Sequence, residues 1–457
     1  MFTGWSQVIG KSSDGKFEGD FTALSNATKT IFLLSEVEEL KPNLVRHDSI
    51  VKRLIEIVNN RDVGNAREDA MHSIICLLFH KKNAVEMVKS PELLSMLTEV
   101  AIHREEEEQI RRWSGVAMWN LACCPYNKIM MASRTDCLRA ILYLLKSACS
   151  FLIGYALSIV KQLTTEEENV IILIRYNSGS LFRSIVNIAL VYDNNMGIAL
   201  KAVHSLQFMI SKNTAIEACK NSPLSEKNGG LLVTLTSLTI NSPEMEIRNL
   251  ALSQLSTMTI VLAEKMYQVD TLLQCVLSLL KSGKGKAVTV SLAALRKLYA
   301  KSENHLFLVN CIGLLDAVGN FILYNVETRQ PERAENIMAL DLLASLTCDK
   351  KCCMAVAGSE AIQSAIEQMM QMYTGGEACE YASTINSRLR KSYTQTEETL
   401  LKKKDSIVKS LPDTMRTFQR AIIGSCQNDA FQKTLMGSCQ NHGSCGKKEY
   451  VDSFMVE

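Results

Sequence analysis

The stretch "QIRRWSGVAMWNLACCPYNKIMMASRTDCLRAILYLLKS", Gln109 to Ser147, decides how the chain is read. It predicts a helix ending near Leu121, a short break around Cys123-Cys124-Pro125-Tyr126, and a helix pair closing on "LLKS". Leu121 serves as the anchor of the unit: small Ala117 lies four residues before it, and Asn127 lies six residues after it, in the break. A small residue lets a neighbouring helix approach closely. An asparagine in a break is expected to cap the helix that follows, accepting an otherwise orphan N–H. Pro125 and Tyr126 are expected to stop the first helix.

The same frame returns along the chain. "SIICLLFHKKNAVEMV" supplies Leu77 with Ser73 and Asn83, "SIVKQLTTEEENVIIL" supplies Leu163 and Asn169, and "LAALRKLYAKSENHLFLV" supplies Leu298, Ala294 and Asn304. "HSLQFMISKNTAIE" supplies Leu206, Ala202 and, one residue later in the turn, Asn213; Leu255 with Ala251, and Leu346, mark two further copies. Anchors from Leu77 to Leu346 are separated by 44, 42, 43, 49, 43 and 48 residues, and a weaker copy at Leu34 adds a 43-residue step. Eight frames at this period indicate stacked helical units, each burying a face that its neighbour covers. "NVIILIRYNSGSLFRSIVNIALVYD", Asn169 to Asp193, is β-branched enough to be strand by propensity. Its place in the frame makes it two helices broken at Asn177-Ser178-Gly179. The expected fold is therefore all-α, a right-handed α-solenoid of about eight armadillo- or HEAT-like repeats.

Composition agrees. The 457 residues include only seven prolines and 22 glycines, too few for the frequent turns of a β-sandwich. A net charge of +2 gives no global field drawing the chain to nucleic acid, and no nucleic-acid partner is expected. No apolar run reaches the ~18 residues of a membrane span, so no transmembrane segment is expected. The 15 cysteines have no framework spacing, and several, such as Cys76 and Cys275, sit inside apolar runs; they point to a reducing compartment, cytoplasmic and/or nuclear.

The chain resembles armadillo-repeat proteins over roughly residues 25 to 375, most specifically at "QIRRWSGVAMWNLACCPYNK". The resemblance implies that the helix carrying each anchor is the third of its repeat and lines a concave groove that holds extended peptides. It also implies a ladder of polar side chains pairing with the peptide backbone, as an amide can donate and accept at once. The ladder position, one before each anchor, holds Cys76, Asn120, Gln162, Ser205, Gln254, Lys297 and Ser345. Importin-α proteins carry tryptophan four residues before it, where this chain has His72, Val116, Ser158, Lys201, Leu250, Ala293 and Asp341. A general import adaptor is therefore not expected, nor is the basic stripe of β-catenin. The expected groove residues are Asn120, Gln162, Gln254, Lys201, Lys297 and His72.

No HExxH, GxxxxGK[ST], GxSxG or GxGxxG stretch appears, so no catalytic residue, cofactor, metal or small-molecule substrate is expected. The vicinal pairs Cys123-Cys124 and Cys352-Cys353 lack the CxxC spacing of zinc sites and are expected to be structural. "REEEEQ", Arg104 to Gln109, is expected to be a solvated turn. The expected organisation is a flexible arm (1–22), the repeat array (23–375), capping or amphipathic helices (376–415) and a flexible Cys/Gly/Ser tail (416–457). In the third of these, Thr394 to Glu397 reads as a capping box opening a helix with Leu400, Leu401, Ile407, Val408 and Leu411 on one stripe. Cys426, Cys439, His442 and Cys445 of the tail match no zinc module. These observations point to a non-enzymatic scaffold or adaptor that binds an extended peptide or helix of a protein partner. The alternative is a regulatory or structural subunit using its convex face or C-terminal tail.

Overall fold

The computed structural model describes residues 21–192, 195–223, 229–265 and 269–410, with 395–410 described by backbone alone. Cys426, Cys439, His442, Cys445 and Leu411 lie outside the described residues, as does the arm before Phe21. The chain divides into two compact units, Met1–Ile385 and Asn386–Glu457.

The described residues are helical, with no strand among them. After a lone α1 (Phe21–Glu36) the helices come mostly in triplets, the third of which bears the anchor leucine in all but the last. The first triplets are α2 (Lys41–Arg46), α3 (Asp48–Asn59), α4 (Asn65–Leu78), then α5 (Lys81–Met87), α6 (Pro91–Ile102), α7 (Glu108–Cys123). Next are α8 (Pro125–Ser133), α9 (Thr135–Leu145), α10 (Ser150–Leu163), then α11 (Glu167–Arg175), α12 (Ser180–Val191), α13 (Met196–Met209). The order continues with α14 (Ala215–Asn221), α15 (Gly230–Asn241), α16 (Met245–Lys265), and a pair, α17 (Val269–Lys281) and α18 (Gly285–Tyr299). It closes with α19 (His305–Asn310), α20 (Leu314–Glu327), α21 (Ala334–Leu346), then α22 (Lys350–Ala357), α23 (Glu360–Met372), α24 (Glu377–Ser410). Third helices pack on third helices in sequence, from α1 through α21, and second helices on second helices. The first unit is an all-α solenoid. Phe21 and Thr22, expected in the arm, are already helical.

The frame is visible in the core. Anchors Leu77, Leu121, Leu163, Leu206, Leu255 and Leu298 are fully buried. So are the small residues four before them, Ser73, Ala117, Ala202, Ala251 and Ala294. Each buried leucine contributes roughly 1.5–3 kcal/mol relative to exposure, and the small residue opposite lets the next third helix close on it.

The break asparagines do something other than expected. They do not cap the following helix. Asn127 is the third residue of α8, and its Nδ2 donates to the Leu121 carbonyl (3.1 Å) and to the Ala84 carbonyl of the preceding repeat (3.1 Å). Asn83 bonds Leu77 (3.2 Å) and Lys41 (2.9 Å), Asn169 bonds Leu163 (3.0 Å) and Lys128 (3.2 Å), and Asn304 bonds Leu298 (3.0 Å). Each amide thus takes a carbonyl left open at a third-helix C-terminus, and three of them also tie one repeat to the one before. In the fourth break Thr214 takes this place, donating to the Met209 carbonyl (2.7 Å), while Asn213 is exposed. At the corresponding position after Leu255 stands Val261, which has no donor. There the break is absent, and third and first helices merge into the 21 residues of α16.

Other local readings meet the structure in detail. Pro125 opens α8 rather than ending α7, since an N1 residue needs no N–H. Asn177, Ser178 and Gly179 all adopt positive φ (48°, 53° and 83°), separating α11 from α12. Asp349 caps α22, its side chain accepting from Lys351 N and Cys352 N. Glu106, expected in a solvated turn, is buried and accepts two 2.7 Å bonds from Arg67, whose Nε donates to the Val58 carbonyl. Thr394 does not open a helix. It lies inside α24, its hydroxyl donating to the Arg390 carbonyl (2.9 Å). The start of α24 is fixed within the first unit, where Ala378 N donates to Glu332 Oε1 and Ala378, Ala382 and Ile385 are buried.

Candidate binding face

Third helices bury three sides and leave one stripe toward solvent. On α4 it runs through Asn65, Asp69, His72 and Cys76, with Phe79 just past its end; on α10 through Phe151, Tyr155, Ser158, Lys161 and Gln162. The helical period of 3.6 places residues three and four apart on one line.

The expected ladder residues separate on this face. Gln162 and Cys76 are half-buried at its surface. Asn120 is only 8% exposed, and its Nδ2 has no partner. Gln254 and Ser205 are turned inward instead. Gln254 Nε2 donates to the Val203 carbonyl of the preceding third helix (3.0 Å), and Ser205 Oγ to those of Leu157 (3.2 Å) and Lys201 (2.8 Å). These two serve the stacking of third helices; the groove role expected of Gln254 does not fit that placement. Lys297 is exposed but paired with Glu264 (3.4 Å), and neighbouring Arg296 with Asp341 (3.3 Å). Lys201 is exposed and His72 is half-buried.

What the ladder did not predict is a series of aromatic rings on the same face. His72 lies between Phe32 (centroids 5.4 Å apart) and Trp113 (4.1 Å, edge-on), so three successive third helices, α1, α4 and α7, present touching rings. Phe151 and Phe208 continue the series on α10 and α13, 60% and 42% exposed. Cations cover them: Lys29 lies 4.8 Å from the Phe32 centroid, Arg112 4.7 Å from Phe151, and Lys161 5.9 Å from Phe208. Their sequence signal is an aromatic residue on the otherwise polar stripe, where burial does not call for one. Arg112 also bonds Glu108, which accepts from the Cys149 thiol (3.3 Å). The Cys149 hydrogen bond and then Arg112 hold the Glu108 carboxyl below its ordinary range.

Between α10 and α13 the face opens into a cavity of about 390 Å³ lined by Phe151, Gly154, Tyr155, Gly197 and Lys201. A Cβ at Gly154 would stand 3.4 Å from Lys201 Nζ, an ordinary contact with a flexible side-chain end. A second hollow, about 640 Å³, lies between α16 and α18 and is lined by small polar residues such as Ser253, Ser256, Thr257 and Thr289. A third, about 580 Å³, is formed on the second-helix side by α17 and α20, with Lys281, Phe321, Tyr324 and Arg333 in its walls.

The cysteine pairs are placed apart from any such hollow. Cys123 is exposed, whereas Cys124, Cys352 and Cys353 are buried. Among the described residues no group of three or more His, Cys, Asp or Glu is gathered to share a metal ion. Nor is any single described helix long and apolar enough to cross a membrane.

No protein-family model and no curated protein sequence matches the chain. Solved structures similar to it include one from a study of a phosphorylation switch controlling the interaction between cadherin and beta-catenin, with a TM-score of 0.47 and 14% identity. That likeness covers 81% of this chain and 66% of the other. Two engineered proteins are also similar, both 14% identical, with TM-scores of 0.42 (53% of this chain, 93% of the other) and 0.35 (81% and 96%). The order of its own helices, not these likenesses, defines the chain as an all-α helical-repeat protein.

Proposed function

We propose that the protein is a non-enzymatic armadillo-type scaffold or adaptor, binding an extended peptide or helix of a protein partner along the third helices α1 to α13. The observation that carries this reading is the aromatic series of half-buried Phe32, His72 and Trp113 and exposed Phe151 and Phe208, with cations over three of its members. Aromatic and arginine side chains are the residues most enriched at interface centres. Phe151 and Phe208, exposed on successive third helices, are not called for by the core. Gln162, half-buried at the surface, supplies an amide group beside the rings, suited to a peptide backbone, whereas the Asn120 amide nitrogen is buried. Lys201 and His72 belong to the same face. Lys297, tied to Glu264, lies outside the proposed contact. The buried free cysteines, Cys137 and Cys219 among them, support a cytoplasmic or nuclear setting.

The test is partner recovery from native lysate with the full chain and with a Phe151→Ser/Phe208→Ser variant. Both rings are exposed, so the fold is expected to survive. Loss of a partner held by the wild type is the expected outcome; equal recovery would sink the assignment. One observation favours the alternative subunit reading. Ile312 is 90% exposed and Tyr324 60%, next to the hollow between α17 and α20. A Tyr324→Ser variant that alone loses the partner would support contact through that side.

A further inference from the structure

The charges on the third-helix face are unequally spent. In the C-terminal half Arg296 and Lys297 are each neutralised by a carboxylate, Asp341 and Glu264. Lys29 is matched by Asp69 (3.5 Å) and Arg112 by Glu108. Lys161 and Lys201 are different: among the described residues neither has a carboxylate partner. Both flank the same two helices, α10 and α13. Lys201 forms part of the wall of the 390 Å³ cavity, and Lys161 lies over the Phe208 ring. On the following helix Glu246 reaches toward His204 (Nε2 to Oε1 3.6 Å). Gln162, beside Lys161, has a half-buried side chain at the surface.

We infer that this segment of the face is the docking site for an acidic extended peptide, whose Asp or Glu side chains meet Lys161 and Lys201 and whose apolar side chains pack on Phe151, Tyr155 and Phe208. This deepens the reading proposed above and rests on it. The reasoning is one of charge complementarity on an apolar floor. A lysine over an aromatic ring, with no carboxylate of its own, is a cation already partly stripped of water. A carboxylate brought to it gains more than it would at an open surface. In an extended peptide alternate side chains share one face, so the acidic residues that meet the lysines and the apolar residues that meet the rings lie an even number of positions apart. Gly154 and Gly197 are among the residues lining the cavity that Lys201 shares with Phe151 and Tyr155. A basic peptide meets two unpaired cations here and is disfavoured.

The test is selection of a random 12-residue phage-displayed peptide library on the full-length protein, repeated on Lys161→Glu/Lys201→Glu and on Phe151→Ser/Phe208→Ser. Circular dichroism shows whether each variant keeps its helix content. A Lys161→Ala/Lys201→Ala variant replaces the charge reversal if that one fails to fold. The expected result is enrichment of peptides bearing two or more acidic residues with aromatic or aliphatic neighbours. Their affinity should fall at least about tenfold in the charge-reversed variant and weaken with added salt. Peptides that depend on Phe151 and Phe208 but are neutral or basic would overturn the acidic assignment while leaving the binding face intact. Acidic peptides indifferent to both lysines would overturn it as well. No selected peptide sensitive to either variant would overturn the assignment and the binding face together.

Discussion

Replacing Asn127 by alanine tests the repeat architecture at its joint. The side chain is 1% exposed, and one amide nitrogen serves two carbonyls, Leu121 in its own unit and Ala84 in the unit before. An abandoned buried acceptor costs about 1–3 kcal/mol. The Leu121 carbonyl, however, keeps the Cys124 N–H at 3.2 Å, which pulls its share to the low end. Asn127 Oδ1 has no partner, so its removal returns part of the loss. The truncated volume adds a cavity term of up to about 1 kcal/mol. The sum is about 2 kcal/mol, placed at the junction between α5 and α8. Global unfolding of a repeat array need not be two-state, so amide hydrogen exchange is the better assay. A loss of about 2 kcal/mol raises exchange through local opening about 30-fold in α7 and α8. Asn213→Ala, at the exposed position of the fourth break, should leave exchange within about twofold of wild type. Asn127→Asp should be worse than Asn127→Ala, because it turns an acceptor toward two carbonyl oxygens. An Asn127→Ala protein exchanging like the wild type would refute the reasoning.

Glu106→Gln should destabilise the protein by about 3 kcal/mol at neutral pH, since Arg67 would be left buried and unpaired; urea titration measures it. Burial raises the Glu106 pKa, but the Arg67 hydrogen bonds and charge outweigh this and leave it below 4.5. A lowered carboxyl pKa gives stability that is full above the unfolded value and lost as pH falls below about 4.5 through the folded one; Glu106→Gln should flatten that acid limb. Gly319→Ala should cost at least about 2 kcal/mol by thermal unfolding, because its Cβ would stand 2.7 Å from backbone atoms of Ala361 and Ile362. Alkylation at pH 7.5, read by peptide mass spectrometry, should label exposed Cys123 and Cys348 in the native protein. Cys137 and Cys219, whose thiols burial pushes up to about 12, should be labelled only after unfolding.

The fold was largely legible because its period is long and its markers are physical. Leu121, Ala117 and Asn127 recur with their offsets because, in the units that keep them, each does the same packing or bonding. The helical reading of Asn169 to Asp193 shows the frame outranking propensity, with three positive-φ residues at the break. What the asparagine bonds was not legible. The residues give its place in the break, but only the stacked repeats bring the carbonyl of Ala84 or Lys128 within reach. The merged helix α16 was readable in retrospect from Val261. The candidate face was harder. Gln254 and Gln162 hold equivalent positions in sequence, yet one bonds the Val203 carbonyl and the other reaches the surface. The partnership of Arg67 and Glu106 joins residues 39 apart, about one repeat, and no local pattern marks it. The aromatic series is not legible in the sequence, because rings in an apolar helix look like core until the buried side is known.

The central claim is that a partner segment lies along the third helices from α1 to α13. Its most direct test is site-specific photo-crosslinking in cell extract, with a benzophenone side chain placed in turn at Phe151, Phe208 and Tyr324 of the full chain. The account predicts adducts of one partner at Phe151 and Phe208, within a single acidic segment of that partner, and none of it at Tyr324. Adducts of the partner at Tyr324 alone would contradict it.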